Sequence, residues 1–587
     1  MKVKSIIFLI LLFLFNNFYL TQAQSCSKKK FKIVFVADVR VASNKDWLSR
    51  VATNWGATGV CLRVFWGHLD TNALAGVDNW TNLDKAIYTI SSSEFDNKKL
   101  DIYIRICMGL QKPIWVTPEN VLSKNDFQIT FNDSLYDHQS YEKGIPESER
   151  YPLNFVSPNS IEKMENFLKE VLEHVNKTFA DSIKIRIKEV VPTFSVSDEE
   201  EYPFAAMCGY SSYEIDAFRN YLMNKYYNNL FNLNKKWNPD SIWKDFYSWS
   251  EITPGNYNWH LYVDSLYLYP KGRVDWINFR TEQLSAFIGS LAEITSSFGF
   301  QMGVQIGSIY DDLIERRGWV DPIKLFEKAN SIHVADIYQY SENFDFAAEY
   351  LHSICKFWTV TNNMICEPIR FSTETNWPDF DNKEPSFLSQ KWGEQLISYY
   401  NKGASECYVV GWDITTGKLD SCKFLYEAWR NILLEYSNKK VVKAINQYAV
   451  HLSTEQVLYN HNTKSLENGR FELYNSIINR VPYVSTSGNY NRSKDIITNY
   501  MIEKNPTYLN NYSGVYFTQS SEYITDAAYL GLIKDSVKTA YLNTTLNSNN
   551  GNEEYELIQG LKNEYNEIRS ALDLIRRSTK YFYDGIK

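Results

Sequence analysis

The sequence predicts an α/β protein: a (β/α)8 TIM barrel followed by a smaller α/β domain and a C-terminal helix. From residue 32 onward, short β-rich runs alternate with amphipathic helical stretches. Eight such repeats with long insertions are typical of a closed barrel of parallel strands. The competing architecture is an open doubly wound sheet. It is disfavoured because no glycine follows the first strand, at 39–43, where a phosphate-binding loop would need one.

The predicted strands are short runs rich in Val, Ile and aromatic residues. They are 32–40, 57–66, 100–107, 187–197, 301–308, 332–340, 359–367 and 406–413. The stretches 160–176, 211–230, 274–298 and 386–402 have apolar residues at helical spacing and are the predicted covering helices. The barrel is therefore expected over residues 30–437.

The sequence pattern changes after residue 437. Residues 438–587 are expected to form the smaller α/β domain, with strands near 455–460 and 514–518, a helix near 466–478 and a charged helix at 553–578. An Asn/Thr/Gly-rich stretch at 543–552 precedes that last helix. No catalytic group of residues stands out in this part. Its expected roles are packing, contact within a homo-oligomer or capping of the barrel.

The N-terminus resembles a targeting segment. Lys2 and Lys4 precede an apolar run at 6–20, and small residues lead to a cleavage point before Gln24. This pattern predicts a signal peptide over residues 1–23 and a secreted or periplasmic protein. The apolar run is too short and too N-terminal for a membrane span. Cys26 leaves lipoprotein anchoring as an alternative.

Composition narrows the class of partner. The net charge of −8 argues against a nucleic-acid partner, because phosphate binding requires a basic stripe. Aromatic residues make up 16% of the chain, which fits sugar-stacking surfaces and fits a Tyr-rich core equally. Four of the eight cysteines lie in apolar strand-like runs and are expected to be small core residues: Cys61, Cys107, Cys366 and Cys407. No CxxC pair and no nucleotide motif occurs, so no metal or cofactor is predicted.

The working residues of such a barrel lie at the carboxyl ends of its strands. Glu199 follows predicted strand 4, and Glu367 ends predicted strand 7. Cleavage of a glycosidic bond needs a carboxylic acid that protonates the leaving oxygen and a carboxylate that attacks the sugar, about 5–5.5 Å apart in retaining enzymes. Glu199 would be the acid, with a raised pKa. Glu367 would stay ionised beside Arg63.

Simpler structural explanations exist for each of these residues. The run Asp198 to Glu201 would more often be a solvated loop. Arg63 and Arg105 would pair with buried carboxylates in the barrel mouth. The aromatic residues near the strand ends would be core or rim residues: Trp115, Tyr338 and Trp412.

The chain resembles clan A of the glycoside hydrolases, and most closely family 42, the β-galactosidases. The similarity is carried by Ala217-Phe218-Arg219 in a helix after strand 4, by Leu233-Asn234 with Trp237 and Trp243, and by Trp249-Ser250-Glu251-Ile252. Upstream, Leu83-Asp84 and Pro113-Ile114-Trp115 are similar to a helix start and a loop of the family. The resemblance covers roughly residues 32–430 and implies an enzyme that acts on oligosaccharides or polysaccharide-derived sugars.

The resemblance also implies roles for individual residues. The Asn-Glu pair of the family falls on Asp198-Glu199, which makes Glu199 the acid/base, with Glu201 as the alternative if the register slips. The nucleophile falls on Glu367, and Asn376-Trp377 resembles the Asn-Trp that follows it in the family. Residues implied to bind substrate are Arg63, Trp115, Asp198, Trp243, Tyr338, Trp377 and Trp412.

Three departures bear on activity and substrate. Asp198 replaces an Asn that donates a hydrogen bond to the sugar, and a carboxylate only accepts. The zinc-binding cysteines of the family are reduced to Cys208, so no structural zinc is expected. The Glu and His that contact galactose after strand 8 are missing from 412–416. Alternatives to an enzyme are therefore a non-catalytic carbohydrate-binding barrel or a structural surface protein.

Overall fold

The structure is a computed structural model of the whole chain. It describes residues 29–70, 79–95, 99–113, 116, 123–130, 132–140, 147–203, 206–238, 245–254, 270–307, 314–319, 321–334, 344–362, 369–375, 385–410, 423–442, 448–451, 484–486, 489–491, 495–512 and 514–517. By its internal contacts the chain divides into two compact units. The first comprises Met1–Thr359 and Met364–Ala444, and the second comprises Val360–Asn363 and Ile445–Lys587.

The first unit contains one parallel sheet of eight strands in the order β4-β3-β2-β1-β8-β7-β6-β5. The strands are β1 (Lys32–Asp38), β2 (Gly59–Phe65), β3 (Asp101–Cys107), β4 (Ile187–Thr193), β5 (Gly303–Ile306), β6 (Ser331–Val334), β7 (Arg370–Thr375) and β8 (Glu406–Val409). Val190 and Met302 form a parallel bridge that joins the two edge strands, and the amide of Val190 donates to the carbonyl of Gln301 at 2.9 Å. The sheet therefore closes, and the predicted (β/α)8 TIM barrel is confirmed.

Amphipathic helices cover the outside of the sheet. They are α1 (Lys45–Trp55), α2 (Thr81–Ser92), α3 (Pro158–Thr178), α4 (Ser212–Lys225), α5 (Leu230–Trp237), α6 (Pro270–Ser297), α7 (Phe344–Thr361), α8 (Pro385–Asn401) and α9 (Lys423–Tyr436). Local signals fix their ends. Ser211 and Glu214 form a reciprocal capping box at the start of α4, and Gly56 ends α1 with a φ of 73° that favours glycine. None of the described helices is long and apolar enough to cross a membrane.

Seven of the eight predicted strands overlap observed ones, but the predicted seventh strand is wrong. Residues 359–361 belong to the end of α7, and β7 begins only at Arg370. The apolar run before Glu367 resembled a buried strand, yet the strand in the barrel is the more polar Arg370–Thr375. Its polar residues are accommodated because the barrel interior at this level is itself polar. Ser372, for example, contacts His333 on β6.

The polar layer inside the barrel is built around Arg370. Its guanidinium donates to Glu189 of β4 at 2.7 Å and to Glu406 of β8 at 2.8 Å. Glu189 also contacts His333, and Tyr103 donates to Glu406 at 3.1 Å. Both carboxylates are almost fully buried. Because such groups are costly to bury alone, the layer links four strands through ion pairs that compensate one another.

The cysteine prediction holds for three of the four residues named. Cys61, Cys107 and Cys407 are fully buried in the barrel strands and carry free thiols. The fourth, Cys366, lies outside the described residues.

The described part of the second unit is a small α/β arrangement. Its sheet has three parallel strands in the order β12-β9-β13, formed by β9 (Tyr448–His451), β12 (Asp495–Ile497) and β13 (Gly514–Phe517). A two-stranded antiparallel pair is formed by β10 (Val484–Thr486) and β11 (Asn489–Asn491), and a short helix, α10 (Asn499–Lys504), follows β12. The strand predicted at 514–518 is present. The elements predicted at 455–460, 466–478 and 553–578 lie outside the described residues.

The lowered pKa of Glu189 predicts how the stability of the protein depends on pH. Burial alone would raise its pKa, but His333 and Arg370 outweigh burial and lower the pKa to about 2. The folded-state value lies below the unfolded value of about 4.3. The ionised group therefore stabilises the fold above about pH 4.3, and this stabilisation is lost as the pH falls towards about 2. We expect Glu189→Gln to lower the free energy of unfolding by about 3–5 kcal/mol at pH 6.

Urea unfolding between pH 6 and pH 3 measures this effect. The difference between wild type and Glu189→Gln should narrow as the pH falls. The control is Glu165→Gln, which removes only the 3.4 Å contact with Lys169 on the outer face of α3 and should change stability by less than about 1 kcal/mol. A gap for Glu189→Gln that does not change with pH would contradict the assignment.

Candidate active site

An acidic run follows β4 at the carboxyl end of the barrel. Asp198, Glu199, Glu200 and Glu201 are all buried, with at most 6% of their surface exposed. The expectation of a solvated loop is therefore wrong. Four consecutive acidic residues without solvent each need a compensating partner or a shifted pKa.

The backbone explains how this run reaches the interior. The amide of Glu200 donates to the carbonyl of Gln305 at 2.7 Å, continuing the ladder that Val190 begins against Gln301. Between these two hydrogen bonds the chain advances by ten residues on the β4 side, from Val190 to Glu200, but by only four on the β5 side, from Gln301 to Gln305. The extra residues form a loop, which closes where the amides of Phe194 and Ser195 donate to the carbonyl of Glu199 at 3.2 and 2.9 Å.

Asp198 lies between two arginines. Its Oδ2 is 3.1 Å from Nε of Arg63 and 3.4 Å from Nη1 of Arg105, and Thr193 donates to Oδ1 at 2.6 Å. Burial alone would raise the pKa of Asp198, but the two guanidinium groups outweigh it and hold the pKa below its usual value. The residue has a φ of 73°, a conformation that Asp and Asn adopt more readily than most residues.

The expectation that Arg63 holds Glu367 in its ionised form stays a prediction, because Glu367 lies outside the described residues. In the structure Arg63 pairs with Asp198. Arg105 does the same, and its Nη2 also donates to Oε1 of Gln305 at 3.2 Å. The structural explanation for both arginines, a buried carboxylate in the barrel mouth, therefore describes their contacts. Arg105 is nearly fully buried, whereas 18% of the Arg63 side chain is exposed.

The surroundings of Glu199 favour the protonated form of its carboxyl group. Its carboxyl group accepts a hydrogen bond from Oγ of Ser195 at 3.2 Å, and the same hydroxyl oxygen accepts from the Glu199 amide at 3.0 Å. Burial and the neighbouring Glu201 raise the pKa of Glu199 well above its usual range, and Arg317 opposes them only in part. A carboxylic acid that is protonated near neutral pH can donate a proton to a leaving group.

Glu200 and Glu201 are anchored to the strand 5 side of the barrel. The side chain of Glu200 accepts from the Gln305 amide, and burial raises its pKa well above the usual range. Glu201 accepts from the Gly307 amide at 3.0 Å and forms an ion pair with Arg317. A Cβ at Gly307 would overlap the Arg317 guanidinium, so a larger residue there would displace the guanidinium from its present position beside Glu201.

The carboxyl end of β7 is the other place where a catalytic carboxylate is expected. Glu374 and Thr375 are its last two residues, and they pair in register with Tyr408 and Val409 of β8. Glu367 lies three residues before the first residue of β7, Arg370, and is outside the described residues. The argument that placed Glu367 at the end of strand 7 is therefore wrong, and Glu374 occupies that position in the backbone.

Several residues expected to bind substrate lie outside the described residues: Trp115, Trp243, Tyr338, Trp377 and Trp412. Of the expected site residues, the structure describes Arg63, Asp198 and Glu199 and brings them together at one end of the barrel.

Ser195, Gln305 and Arg317 belong to the same group of residues but were not predicted. Only Arg317 had a sequence signal, as one of two consecutive arginines that follow strand 5. Among the described residues, no three His, Cys, Asp or Glu side chains are grouped in a way that could hold a metal ion.

Known proteins resemble this chain in sequence and in fold. Residues 151–377 match the model of glycoside hydrolase family 42, described as β-galactosidase. That segment contains both the acidic run after β4 and the whole of β7. No curated protein sequence matches the chain.

Solved structures match over most of the chain. A family 42 β-galactosidase from G. stearothermophilus has a TM-score of 0.59 and 14% identity, with 86% of this chain and 71% of that one covered. A β-galactosidase from Rahnella sp. R3 has a TM-score of 0.59 and 11% identity, with 89% and 73% covered. The catalytic domain of a β-amylase from Paenibacillus polymyxa has a TM-score of 0.51 and 13% identity, with 70% and 99% covered. At these identities the matches support the barrel fold alone.

The family model gives information about activity, which structures of such low sequence identity do not give. Its match confirms the resemblance that the motifs around Ala217-Phe218-Arg219 predicted, and it spans the carboxyl ends of both β4 and β7. The chain is therefore a glycosidase that resembles the β-galactosidases of glycoside hydrolase family 42.

Proposed function

We propose that the chain is an exported, retaining glycosidase in which Glu199 is the acid/base and Glu374 is the nucleophile. The observation that carries the proposal is the environment of Glu199. It is a buried carboxyl group at the carboxyl end of β4, hydrogen-bonded to Ser195, with a pKa raised by burial and by Glu201. A β-galactoside is the first substrate to test, because the matching family model carries that description.

Glu374 is proposed as the nucleophile from its place in the barrel. It is at the carboxyl end of β7, and its strand position is two residues beyond Ser372 and four beyond Arg370, whose side chains contact His333 and Glu189. The Asn-Trp pair that resembles the family, Asn376-Trp377, follows it directly after Thr375. Glu367 has the same Asn-Trp pair further downstream but precedes the strand.

The reaction follows from these two positions. The protonated carboxyl group of Glu199 donates its proton to the glycosidic oxygen while the carboxylate of Glu374 attacks the anomeric carbon and forms a glycosyl ester. Glu199, now ionised, removes a proton from the incoming water, which displaces Glu374. The net result is hydrolysis with retention of anomeric configuration.

Asp198 favours a second candidate, a barrel that binds sugar without cleaving it. The Asn expected from the family would donate a hydrogen bond to the sugar. Here a carboxylate occupies that position and is paired with Arg63 and Arg105. Binding of a galactoside by the intact protein with no turnover in long incubations would favour this candidate.

Export is proposed from the sequence of residues 1–23. Expression of the full chain with its own N-terminus in a secreting host should release a protein whose first residue, by N-terminal sequencing, is Gln24. Recovery of the protein only in the membrane fraction, with a lipid on Cys26, would favour anchoring instead. An uncleaved chain retained inside the cell would contradict export.

The assignment of the nucleophile can be tested with a matched pair of variants. We expect Glu374→Gly to lose hydrolysis of an aryl β-galactoside and Glu367→Gly to retain it. Azide should restore turnover in Glu374→Gly and give the α-galactosyl azide, because azide then attacks the anomeric carbon directly. Loss of activity in Glu367→Gly with an active Glu374→Gly would reverse the assignment.

The assignment of the acid/base is tested by leaving-group dependence. Glu199→Gln should lower kcat/KM by about 10²–10⁴ for a substrate with a poor leaving group. The loss should be much smaller for a dinitrophenyl glycoside, which needs little protonation. If Glu201→Gln shows this pattern and Glu199→Gln does not, Glu201 is the acid/base.

The pH profile supplies a further expectation. Activity requires Glu199 in its protonated form and should fall as the pH rises through its raised pKa. Glu201→Gln removes a neighbouring negative charge that contributes to this rise and frees Arg317 to act on Glu199. The alkaline limb of kcat/KM should therefore move to lower pH. The control is Glu165→Gln on α3, which should leave the limb unchanged.

A further inference from the structure

The amino-terminal end of the barrel, opposite the acidic run, opens into a cavity of about 950 Å³. Residues at or next to the first residue of seven of the eight strands line it, among them Lys32 of β1, Lys188 of β4 and Arg370 of β7, and Gln301 lies two residues before β5. A cavity of this size is in the range of small-molecule sites, which is about 300–1,000 Å³. The end of the barrel away from the carboxyl ends of the strands usually serves stability.

The charge of the cavity is opposite to that of the chain. Seven basic residues line it and only two acidic ones, Asp101 and Glu406, whereas the whole chain has a net charge of −8. Arg370 is compensated by buried ion pairs with Glu406 and with Glu189, which lies outside the lining, so the excess positive charge comes from the lysines. Two more carboxylates approach these lysines from outside the lining. Asp181 is 2.8 Å from Lys184, and Glu94 is 3.4 Å from Lys99. Both are largely exposed, so solvent screens them.

The basic groups converge from different parts of the chain. Lys29 and Lys30 precede β1, Lys184 and Lys188 flank the start of β4, and Lys99 precedes β3. Lys188 donates to the carbonyl of Ile185 at 2.9 Å and remains 3.7 Å from Asp101, whose closer partner is Lys32 at 2.5 Å. Like charges held together in a concave surface repel one another and raise the local concentration of anions.

Uncharged polar residues also line the cavity: Asn176, Gln301 and Asn330. Nδ2 of Asn176 donates to the carbonyl of Phe298, and Oδ1 of Asn330 accepts from the amide of Met302, so the lysines are the groups that would hold an anion. Lysines present compact charges on flexible stems and suit anions without a fixed planar geometry. Phosphate and sulfate groups have this character, and the cavity can hold a molecule that carries more than one of them.

We propose that this cavity is a binding site for a small multivalent oxyanion, a molecule that carries phosphate or sulfate groups. The site is separate from the carboxylates at the other end of the barrel and does not depend on the proposed catalytic mechanism. Bound anion would neutralise the clustered lysines and stabilise the folded protein in proportion to its affinity.

The test uses the full mature chain and isothermal titration calorimetry with two anions, inorganic tripolyphosphate and a sulfated disaccharide. We expect at least one anion to bind. The double variant Lys184→Gln/Lys188→Gln should weaken its affinity at least about tenfold. The control double variant Lys85→Gln/Lys169→Gln makes the same change in net charge on the outer faces of α2 and α3 and should bind as wild type does.

The outcomes distinguish a phosphorylated ligand from a sulfated one, and they test whether the cavity is the binding site. Binding of tripolyphosphate alone would indicate a phosphorylated ligand, and binding of the disaccharide alone a sulfated one. Equal affinities in the two double variants, or no binding of either anion at millimolar concentration, would overturn the proposal. Glu199→Gln should bind the anion as wild type does. Loss of anion binding in that variant would place the ligand at the other end of the barrel and also overturn the proposal.

Discussion

The closure of the barrel between β4 and β5 is the constraint on which the candidate active site depends. Two backbone hydrogen bonds join the two sides, from Val190 to Gln301 and from Glu200 to Gln305, and between them the β4 side carries a loop that the β5 side lacks. This loop turns the chain back so that Asp198 and Glu199 enter the barrel mouth instead of solvent. Gly109 is part of the same constraint, because a Cβ there would overlap the carbonyl groups of Phe194 and Ser195.

Burial then assigns different chemical states to neighbouring carboxyl groups. Asp198 is held ionised by Arg63 and Arg105, whereas the pKa of Glu199 is raised by burial and by Glu201. The same stretch of chain therefore supplies an anion that pairs with two guanidinium groups and a carboxyl group with a raised pKa. Neither state would arise in a solvated loop, where both carboxyl groups would titrate near their ordinary values.

The sequence predicted the barrel and the acidic residues at the carboxyl end of β4, but it misplaced the seventh strand. Hydrophobic periodicity located seven strands because most barrel strands are buried on both sides. It failed at the seventh because Arg370–Thr375 carries polar residues on the side that meets Glu189 and His333, while the apolar run before it mimics a strand. Glu374 was therefore overlooked in favour of Glu367. The partners of the acidic run come from three separate places: Ser195 from a loop, Gln305 from β5 and Arg317 from a short helix, Ile314–Arg317. No local sequence pattern reveals that they meet.

The two ends of the barrel differ in charge. The carboxyl end contains the acidic run, and its arginines are occupied by Asp198 and Glu201. The amino end has an excess of lysines, and between the two ends Arg370 is balanced by Glu189 and Glu406. Each ion pair in this intermediate layer is buried, so it is screened little by salt and keeps the strands in register. The lysines beyond it are partly exposed and less fully compensated. We therefore expect a change in ionic strength to act mainly on the amino end of the barrel, because the largest cause of the raised pKa of Glu199 is burial, which salt does not screen.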